Sequence, residues 1–233
     1  MICKKEKTLY VHINKTAGSS IEIAFGYQPQ ENQHQIAKEF IDDGEWDKNF
    51  TFTFVRNPWD RIVSWFLWAN RSRFWYDGMP SFDGLPTFSP KGVNFGGHPS
   101  ISEGWYLALK DDFKSFIRKI ENSHDISLYP DMIKDSHRGR WVANQTEWLK
   151  NNKGRVNLDF IGKFENLQND FDKLCDKIGK KRCKLMQAKR LDKRPHYSKF
   201  YDKRSMKIIE RLYKDDIKRF NYEYEEAPVQ SLR

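Results

Sequence analysis

The feature that most constrains the fold is a strand–turn–helix pattern that occurs twice in the first 64 residues. In 8–25 an apolar run leads into a turn of small residues around Lys15, and a helical pattern follows. In 50–64 an apolar and β-branched run leads to Arg56 and then to a second helical pattern. Strands that alternate with helices predict an α/β fold, with a mostly parallel central sheet flanked by helices on both faces.

Both turns have the composition of anion-binding turns. Backbone N–H groups at the start of a helix face an anion, and the helix dipole favours negative charge there. Lys15 and Arg56 add cations, and Gly18 allows the backbone to approach a ligand closely. Two such turns in one domain predict a ligand with phosphate at both ends. The first turn also offers short hydroxyl donors, on Thr16, Ser19 and Ser20.

The first turn is not an ordinary nucleoside-triphosphate loop. That loop has the pattern Gly-x-x-x-x-Gly-Lys-Ser/Thr, in which the lysine follows the last glycine and the hydroxyl binds magnesium. Here Lys15 precedes Gly18, and no second glycine opens the turn. The magnesium site of a triphosphate loop is therefore not evident, and we expect no metal.

Two motifs resemble those of sulfotransferases that use 3′-phosphoadenosine 5′-phosphosulfate (PAPS). His-Ile-Asn-Lys-Thr-Ala-Gly-Ser-Ser at 12–20 resembles the family's 5′-phosphosulfate loop, and the segment 54–65 resembles its 3′-phosphate element. The nearest branch contains carbohydrate 2-O-sulfotransferases and their bacterial relatives. Weaker similarities follow at 145–149, 159–167 and 196–202, and in Asp216, Phe220 and Tyr222.

The resemblance implies a nucleotide-kinase-like P-loop fold and an enzyme that transfers a sulfuryl group from PAPS, leaving adenosine 3′,5′-bisphosphate. Lys15 would stabilise the charge that develops on the oxygen between phosphorus and sulfur. The 5′-phosphate would be bound by Lys15, Thr16, Ala17, Gly18, Ser19 and Ser20. The 3′-phosphate would be bound by Arg56 and Ser64, and a late basic loop would close over the nucleotide with Lys193, Arg194 and Tyr197.

The acceptor hydroxyl needs a general base, and a histidine has a pKa near neutrality. His34 is the first candidate, because its segment resembles the one that carries the catalytic histidine in the 2-O-sulfating branch. His98 is the second candidate. Simpler roles stay open: His34 as a surface histidine, Ser19 and Ser20 as helix caps, and Ser64 bonded to the preceding helical turn. Asp60 and Arg61 are expected to form structural ion pairs.

The segment 74–105 differs from the rest of the chain. It is rich in proline, glycine and aromatic residues and shows no helical or strand period, which predicts a long loop. We expect a packed lid or an acceptor-binding insertion that includes His98 and Trp105. Elsewhere Lys163 stands where the family often has arginine, and a lysine lacks the planar donor pair of a guanidinium.

Hydrophobic periodicity predicts the remaining elements. A strand is expected over 156–162. Helices are expected over 33–42, 58–70, 113–120, 141–149, 167–178 and 205–220.

The composition is that of one globular domain over residues 1–233. The net charge of +9 suits an anionic donor or acceptor, or a solvated lysine-rich surface, and no nucleic-acid-binding motif accompanies it. Cys3, Cys175 and Cys183 have no metal-ligand spacing and are expected to be free thiols. No signal peptide and no apolar run of roughly 20 residues are visible, so we expect a cytoplasmic protein that binds no membrane.

Two other functions are compatible with the sequence. One is a small-molecule or nucleotide kinase that uses ATP and magnesium, and the other is a nucleotide-binding module without catalysis. The acceptor itself stays open, since a carbohydrate, a phenol or another small molecule with a hydroxyl, or an amine, would fit. The sequence makes no prediction of oligomeric state.

Overall fold

The computed structural model describes residues 1–26, 35–76, 94–95, 98–99, 112–123, 143–186 and 194–228. Side chains are described in these ranges except at 68–76, 94–95, 98–99, 119 and 122–123. The predictions for His34, Trp105 and Lys193 therefore lie outside the described residues, as do those for the side chain of His98 and for most of the loop 74–105.

Six strands are described: β1 (Ile2–Cys3), β2 (Thr8–Tyr10), β3 (Phe50–Val55), β4 (Asn94–Phe95), β5 (His98–Pro99) and β6 (Phe160–Lys163). The main sheet has the order β1-β2-β3-β6 within the described ranges. β1 is antiparallel to β2, whereas β3 is parallel to both β2 and β6. The predicted mostly parallel sheet is confirmed.

Eight α-helices are described: α1 (Gly18–Ala24), α2 (Ala37–Asp42), α3 (Pro58–Tyr76), α4 (Phe113–Ser123), α5 (Gln145–Leu149), α6 (Leu167–Ile178), α7 (Lys203–Leu212) and α8 (Lys214–Phe220). Short 3₁₀ helices cover Trp46–Lys48, Phe164–Asn166 and Tyr197–Phe200. The sequence predicted the bounds of β3 and α6 correctly. Within the described ranges, no helix is both long and apolar enough to cross a membrane.

Several predicted helices have other bounds in the structure: α2 and α5 begin four residues later than expected, and α3 and α4 end later than expected. Three further predictions differ from the structure in other ways. The helix expected over 205–220 is two helices, because the backbone at Tyr213 leaves the helical region (φ −109°, ψ 23°) while its ring is fully buried. The strand expected from Val156 begins at Phe160, since Val156 pairs only with Lys150 in an isolated bridge. In the segment expected to be a loop from residue 74, α3 continues to Tyr76, and β4 and β5 pair in antiparallel orientation.

The main sheet is covered on both faces. Side chains alternate along a strand, so Phe52 and Phe54 point to one face of β3 and Val55 to the other. The first face packs against apolar residues of α1 and α6, and the second against those of α2, α5 and α8. A third apolar cluster joins α3, α4 and α7. Burial on both faces explains why β3 contains no charged residue.

The parallel pairing of β2 and β3 determines where the two predicted anion-binding turns lie. Tyr10 in β2 is opposite Phe52 in β3, and beyond the strand Val11 still donates a hydrogen bond to the Phe52 carbonyl, at 2.9 Å. The carboxyl ends of parallel strands meet at one edge of the sheet, the edge at which ligands bind in open α/β folds. The turn after β2 and the turn after β3 therefore lie side by side.

Candidate active site

The first turn connects β2 to α1 and contains two residues with left-handed backbone conformations. Lys15 has φ 66° and Ala17 has φ 71°. Between them, the Thr16 hydroxyl donates to the Ile13 carbonyl at 2.8 Å. A left-handed conformation costs a non-glycine residue roughly 1–3 kcal/mol, and such residues cluster where ligands bind. The tight turn is therefore held by the surrounding structure.

Burial along this turn alternates. Lys15, Ala17 and Ser19 are partly exposed, whereas Thr16, Gly18 and Ser20 are buried. The Ser20 N–H bonds to the Ala17 carbonyl at 3.0 Å, as expected near the start of a helix. The partly exposed residues are thus the members of the predicted 5′-phosphate set that a ligand can reach from solvent.

His12 fills the space beside Gly18. A Cβ atom at Gly18 would lie 1.7 Å from His12 Nε2, so only glycine fits there while the imidazole keeps its position. On the other side of the ring, Nδ1 lies 2.6 Å from Glu22 Oε1, and Glu22 is fully buried in α1. The sequence predicted that Gly18 admits a ligand, but the close approach recorded here is made by His12.

Arg56 joins the second turn to the first. Its Nη1 donates to the Lys15 carbonyl at 2.9 Å, while Nε and Nη2 lie 2.8 Å and 2.6 Å from Asp60 Oδ2. The guanidinium also lies over the Phe164 ring, 3.8 Å from its centroid. Arg56 is only 6% exposed. The side chain is therefore held in one position beside Lys15.

Asp60 links Arg56 to the late basic loop, because Arg194 Nη2 donates to Asp60 Oδ1. Burial alone would raise the pKa of Asp60, but the two guanidinium groups outweigh it and hold that pKa below its ordinary value. The predicted ion pairing of Asp60 is confirmed. Two cations and one carboxylate leave one net positive charge in the Arg56–Asp60–Arg194 cluster.

Arg61 contacts main chain on the other side of the first turn. Its Nη2 and Nε bond to the side-chain and main-chain oxygens of Asn14, at 2.8 and 3.2 Å. Its Nη1 donates to the Ala143 carbonyl at 2.8 Å. Arg61 thereby ties the turn after β2 to the segment that leads into α5.

Ser64 lies on α3, four positions after Asp60, so both side chains project from the same face of the helix. It is partly exposed. Its position on the Asp60 face of α3 is compatible with the predicted shared role of Ser64 and Arg56 in binding the 3′-phosphate.

Tyr197 is buried in the α3–α4–α7 cluster. Its hydroxyl accepts a hydrogen bond from the Glu225 N–H at 2.7 Å, and its ring packs edge-on against Tyr224. Burial raises the pKa of Tyr197 to about 12. Tyr197 is thus held by the apolar cluster and by the C-terminal segment.

Lys163 also contacts the C-terminal segment. Its ammonium lies 4.7 Å from the centroid of the Tyr222 ring and 3.4 Å from the Asn221 carbonyl. Both contacts suit a compact point charge and need no planar donor pair.

The structure thus brings Lys15, Arg56, Asp60 and Arg194 together. The sequence missed Glu22, although a carboxylate between Ile21 and Ile23 was a sign that an internal partner exists. No group of three or more His, Cys, Asp or Glu side chains suited to a metal occurs among the described residues. All three cysteines are free, with Cys183 exposed.

In a comparison with protein families, the chain matches a model described as "Sulfotransferase family" over residues 1–223. The match includes both predicted anion-binding turns and the segments that surround them. No curated protein matches the chain.

Proposed function

The chain belongs to the sulfotransferase family, and from this membership we propose that it transfers the sulfuryl group of PAPS to an acceptor hydroxyl. Membership of the family supports sulfuryl transfer as the general activity. The donor, the acceptor class and the roles of individual residues are our proposal.

The observation that carries the proposal is the hydrogen bond from Arg56 Nη1 to the Lys15 carbonyl, at 2.9 Å. It joins two cationic turns that are 41 residues apart in the chain. PAPS carries phosphate on both the 5′ and the 3′ oxygen of its ribose, so it needs two anion sites near each other. ATP carries all its phosphates at one end and would leave the Arg56 turn without a ligand.

In this proposal the turn after β2 binds the phosphosulfate and the turn after β3 binds the 3′-phosphate. The 5′ group is bound at the partly exposed residues of the predicted set, Lys15, Ala17 and Ser19, and the buried Thr16, Gly18 and Ser20 shape the turn that presents them. The 3′ group is bound by Arg56 and Ser64, with Lys193, Arg194 and Tyr197 in the loop that closes over the nucleotide. The positive charge of the Arg56–Asp60–Arg194 cluster supports an anion there.

The reaction is an in-line displacement at sulfur. The acceptor oxygen forms a bond to sulfur as the bond between sulfur and the bridging oxygen breaks, and the electron pair stays on the 5′-phosphate. Lys15 stabilises that developing charge. A base accepts the acceptor's proton, with His34 as first candidate and His98 as second. Positioning and charge stabilisation supply most of the catalysis, as in phosphoryl transfer, and we propose that no metal takes part.

The acceptor is proposed only by class. A hydroxyl on a carbohydrate or on a small molecule fits the resemblance to the 2-O-sulfating branch. The net charge of +9 favours an acceptor that is itself anionic.

The test is a donor-consumption assay with a pool of carbohydrates, phenols and alkyl alcohols. We expect acceptor-dependent release of adenosine 3′,5′-bisphosphate from PAPS, equal with EDTA and with magnesium. Magnesium-dependent release of ADP from ATP, with no turnover of PAPS, would show that the protein is a kinase.

A matched pair of lysine variants adds a control. Lys15→Ala should lower turnover by roughly 10²–10³-fold, as loss of one preorganised electrostatic group does. Lys5→Ala removes an exposed lysine in the β1–β2 turn and should leave turnover unchanged.

A further inference from the structure

The main chain of Arg56 is held by the side chain of Gln145, which is fully buried. The Arg56 N–H donates to Gln145 Oε1 at 2.8 Å, and Gln145 Nε2 donates to the Arg56 carbonyl at 2.8 Å. The pairing of β3 with β6 ends one residue earlier, at Val55 and Lys163. The Gln145 amide therefore continues the hydrogen bonding of the strand by one residue.

Gln145 is held in turn by Asp216 of α8. The Gln145 N–H donates to Asp216 Oδ2 and the Thr146 N–H to Oδ1, both at 2.7 Å, and Gln145 Nε2 lies 3.3 Å from Oδ2. These N–H groups belong to the first turn of α5, where no intrahelical acceptor exists. A buried carboxylate that accepts these bonds fixes the start of α5 and the direction of the Gln145 side chain.

The main chain of Asn57, the residue after Arg56, is also held by a side chain. The Asn57 N–H donates to Glu165 Oε1 at 2.6 Å, and the Tyr222 hydroxyl donates to Glu165 Oε2 at 3.1 Å. Two consecutive peptide groups at the end of β3 are thus bonded to side chains from distant parts of the chain. One of the two residues is Arg56, whose guanidinium is itself fixed by Asp60 and by the Lys15 carbonyl.

We propose that Gln145, oriented by Asp216, is a positioning residue for the nucleotide's 3′-phosphate and acts through Arg56. The inference rests on the proposed function, in which Arg56 binds that phosphate. Bidentate recognition of a phosphate requires the two N–H donors of the guanidinium to be held within about 0.5 Å of the geometry in which they bind it. Contacts with Asp60 and Lys15 fix the end of the side chain, and Gln145 fixes its Cα atom.

A purely structural role would have a different consequence. Buried main-chain groups need hydrogen-bond partners wherever they lie, so Gln145 could serve stability alone. In that case the loss of Gln145 would weaken the binding of every nucleotide to the same degree. If Gln145 has a positioning role, its loss weakens the binding only of ligands that carry a 3′-phosphate.

The experiment uses two ligands that differ by that phosphate, adenosine 3′,5′-bisphosphate and adenosine 5′-phosphate. Their dissociation constants are measured by calorimetry on the wild type and on Gln145→Met, which keeps the side-chain length and loses both hydrogen bonds. We expect the affinity for the bisphosphate to fall about tenfold or more. The affinity for the 5′-phosphate should change less than about twofold.

Gln168→Ala is the matched control. This glutamine also bridges main-chain groups, because it accepts from the Leu185 N–H at 2.9 Å and donates to the Cys183 carbonyl at 3.0 Å. It lies on α6, away from Arg56 in the chain. Its loss should change neither dissociation constant.

An equal loss for both ligands, or no loss for either, would overturn the inference. If the Gln145→Met variant does not fold, the Asp216→Asn variant is measured in its place. In that variant too, the affinity for the bisphosphate should fall more than the affinity for the 5′-phosphate. A wild type that binds both ligands equally would instead contradict the proposed 3′-phosphate site itself, so the two failures can be told apart.

Discussion

At the scale of the residue, Asp60 determines the charge that Arg56 and Arg194 present. The carboxylate is shared, with one oxygen facing each guanidinium. Because the pKa of Asp60 is held below its ordinary value, the ionised form stabilises the folded state. That contribution is complete above about pH 4, where the unfolded side chain ionises, and it is lost as the pH falls through the lower folded value.

Asp60→Asn should lower the free energy of unfolding by about 3 kcal/mol at pH 7, since it leaves the buried Arg56 and the partly buried Arg194 without their carboxylate. The difference from the wild type should begin to shrink below about pH 4, where the carboxyl of the unfolded chain takes up a proton, and it is lost only as the pH falls through the lower pKa of the folded state. Urea unfolding at pH 7, 5 and 3 measures this. A difference that stays constant over that range would show that charge is not what Asp60 contributes.

Gly18→Ala should weaken nucleotide binding by about tenfold or more, because the new Cβ would overlap His12 and displace the turn after β2. Calorimetry with adenosine 3′,5′-bisphosphate measures the effect. Gly154→Ala is the control: that glycine has φ +70° and open space around it, so the change should cost about 1 kcal/mol of stability and no affinity.

The double variant His12→Ala/Gly18→Ala tests the same contact from the other side. Removing the imidazole should restore part of the lost affinity if the overlap causes it. Wild-type affinity in Gly18→Ala alone would mean that the turn does not depend on this contact.

At the scale of the element, α3 carries Asp60 and Ser64 and is held by α4 and α7. Phe116 of α4 is fully buried and stacks on Trp65 of α3, with 5.4 Å between the ring centroids. It also packs against Phe66, at 5.2 Å. The orientation of the helix that follows Arg56 therefore depends on an apolar contact made by α4.

Phe116→Ala should lower the free energy of unfolding by about 3–5 kcal/mol, the cost of a large cavity in a packed core. Arg118→Ala, on the exposed face of the same helix, should change it by less than about 0.5 kcal/mol. Urea denaturation of both variants gives the two values. Similar small losses in both would mean that α4 does not support α3.

Elements with a strong local pattern could be predicted from the sequence, and those shaped by distant contacts could not. β3 is a continuous run of apolar and β-branched residues, and α6 stops at Gly179, whose φ of +67° suits glycine. The division between α7 and α8 was missed because the apolar period continues across Tyr213. The break there is a change of backbone conformation at Tyr213, which local periodicity does not report.

At the scale of the whole molecule, the parallel arrangement of β2 and β3 brings the two cationic turns together. The sequence predicted both turns and a ligand with phosphate at both ends, whereas the adjacency of the turns follows from the pairing of β2 with β3. It did not predict Gln145 as a partner of Arg56, since the two are 89 residues apart and meet only through the packing of α5 and α8. Glu22 was missed because its partner His12 precedes the turn.

The most direct test of the account is calorimetric binding of adenosine 3′,5′-bisphosphate against ATP, with and without magnesium, to the wild type and to Arg56→Ala. The account predicts tighter, magnesium-independent binding of the bisphosphate to the wild type and loss of that preference in the variant. Tighter, magnesium-dependent binding of ATP would contradict it.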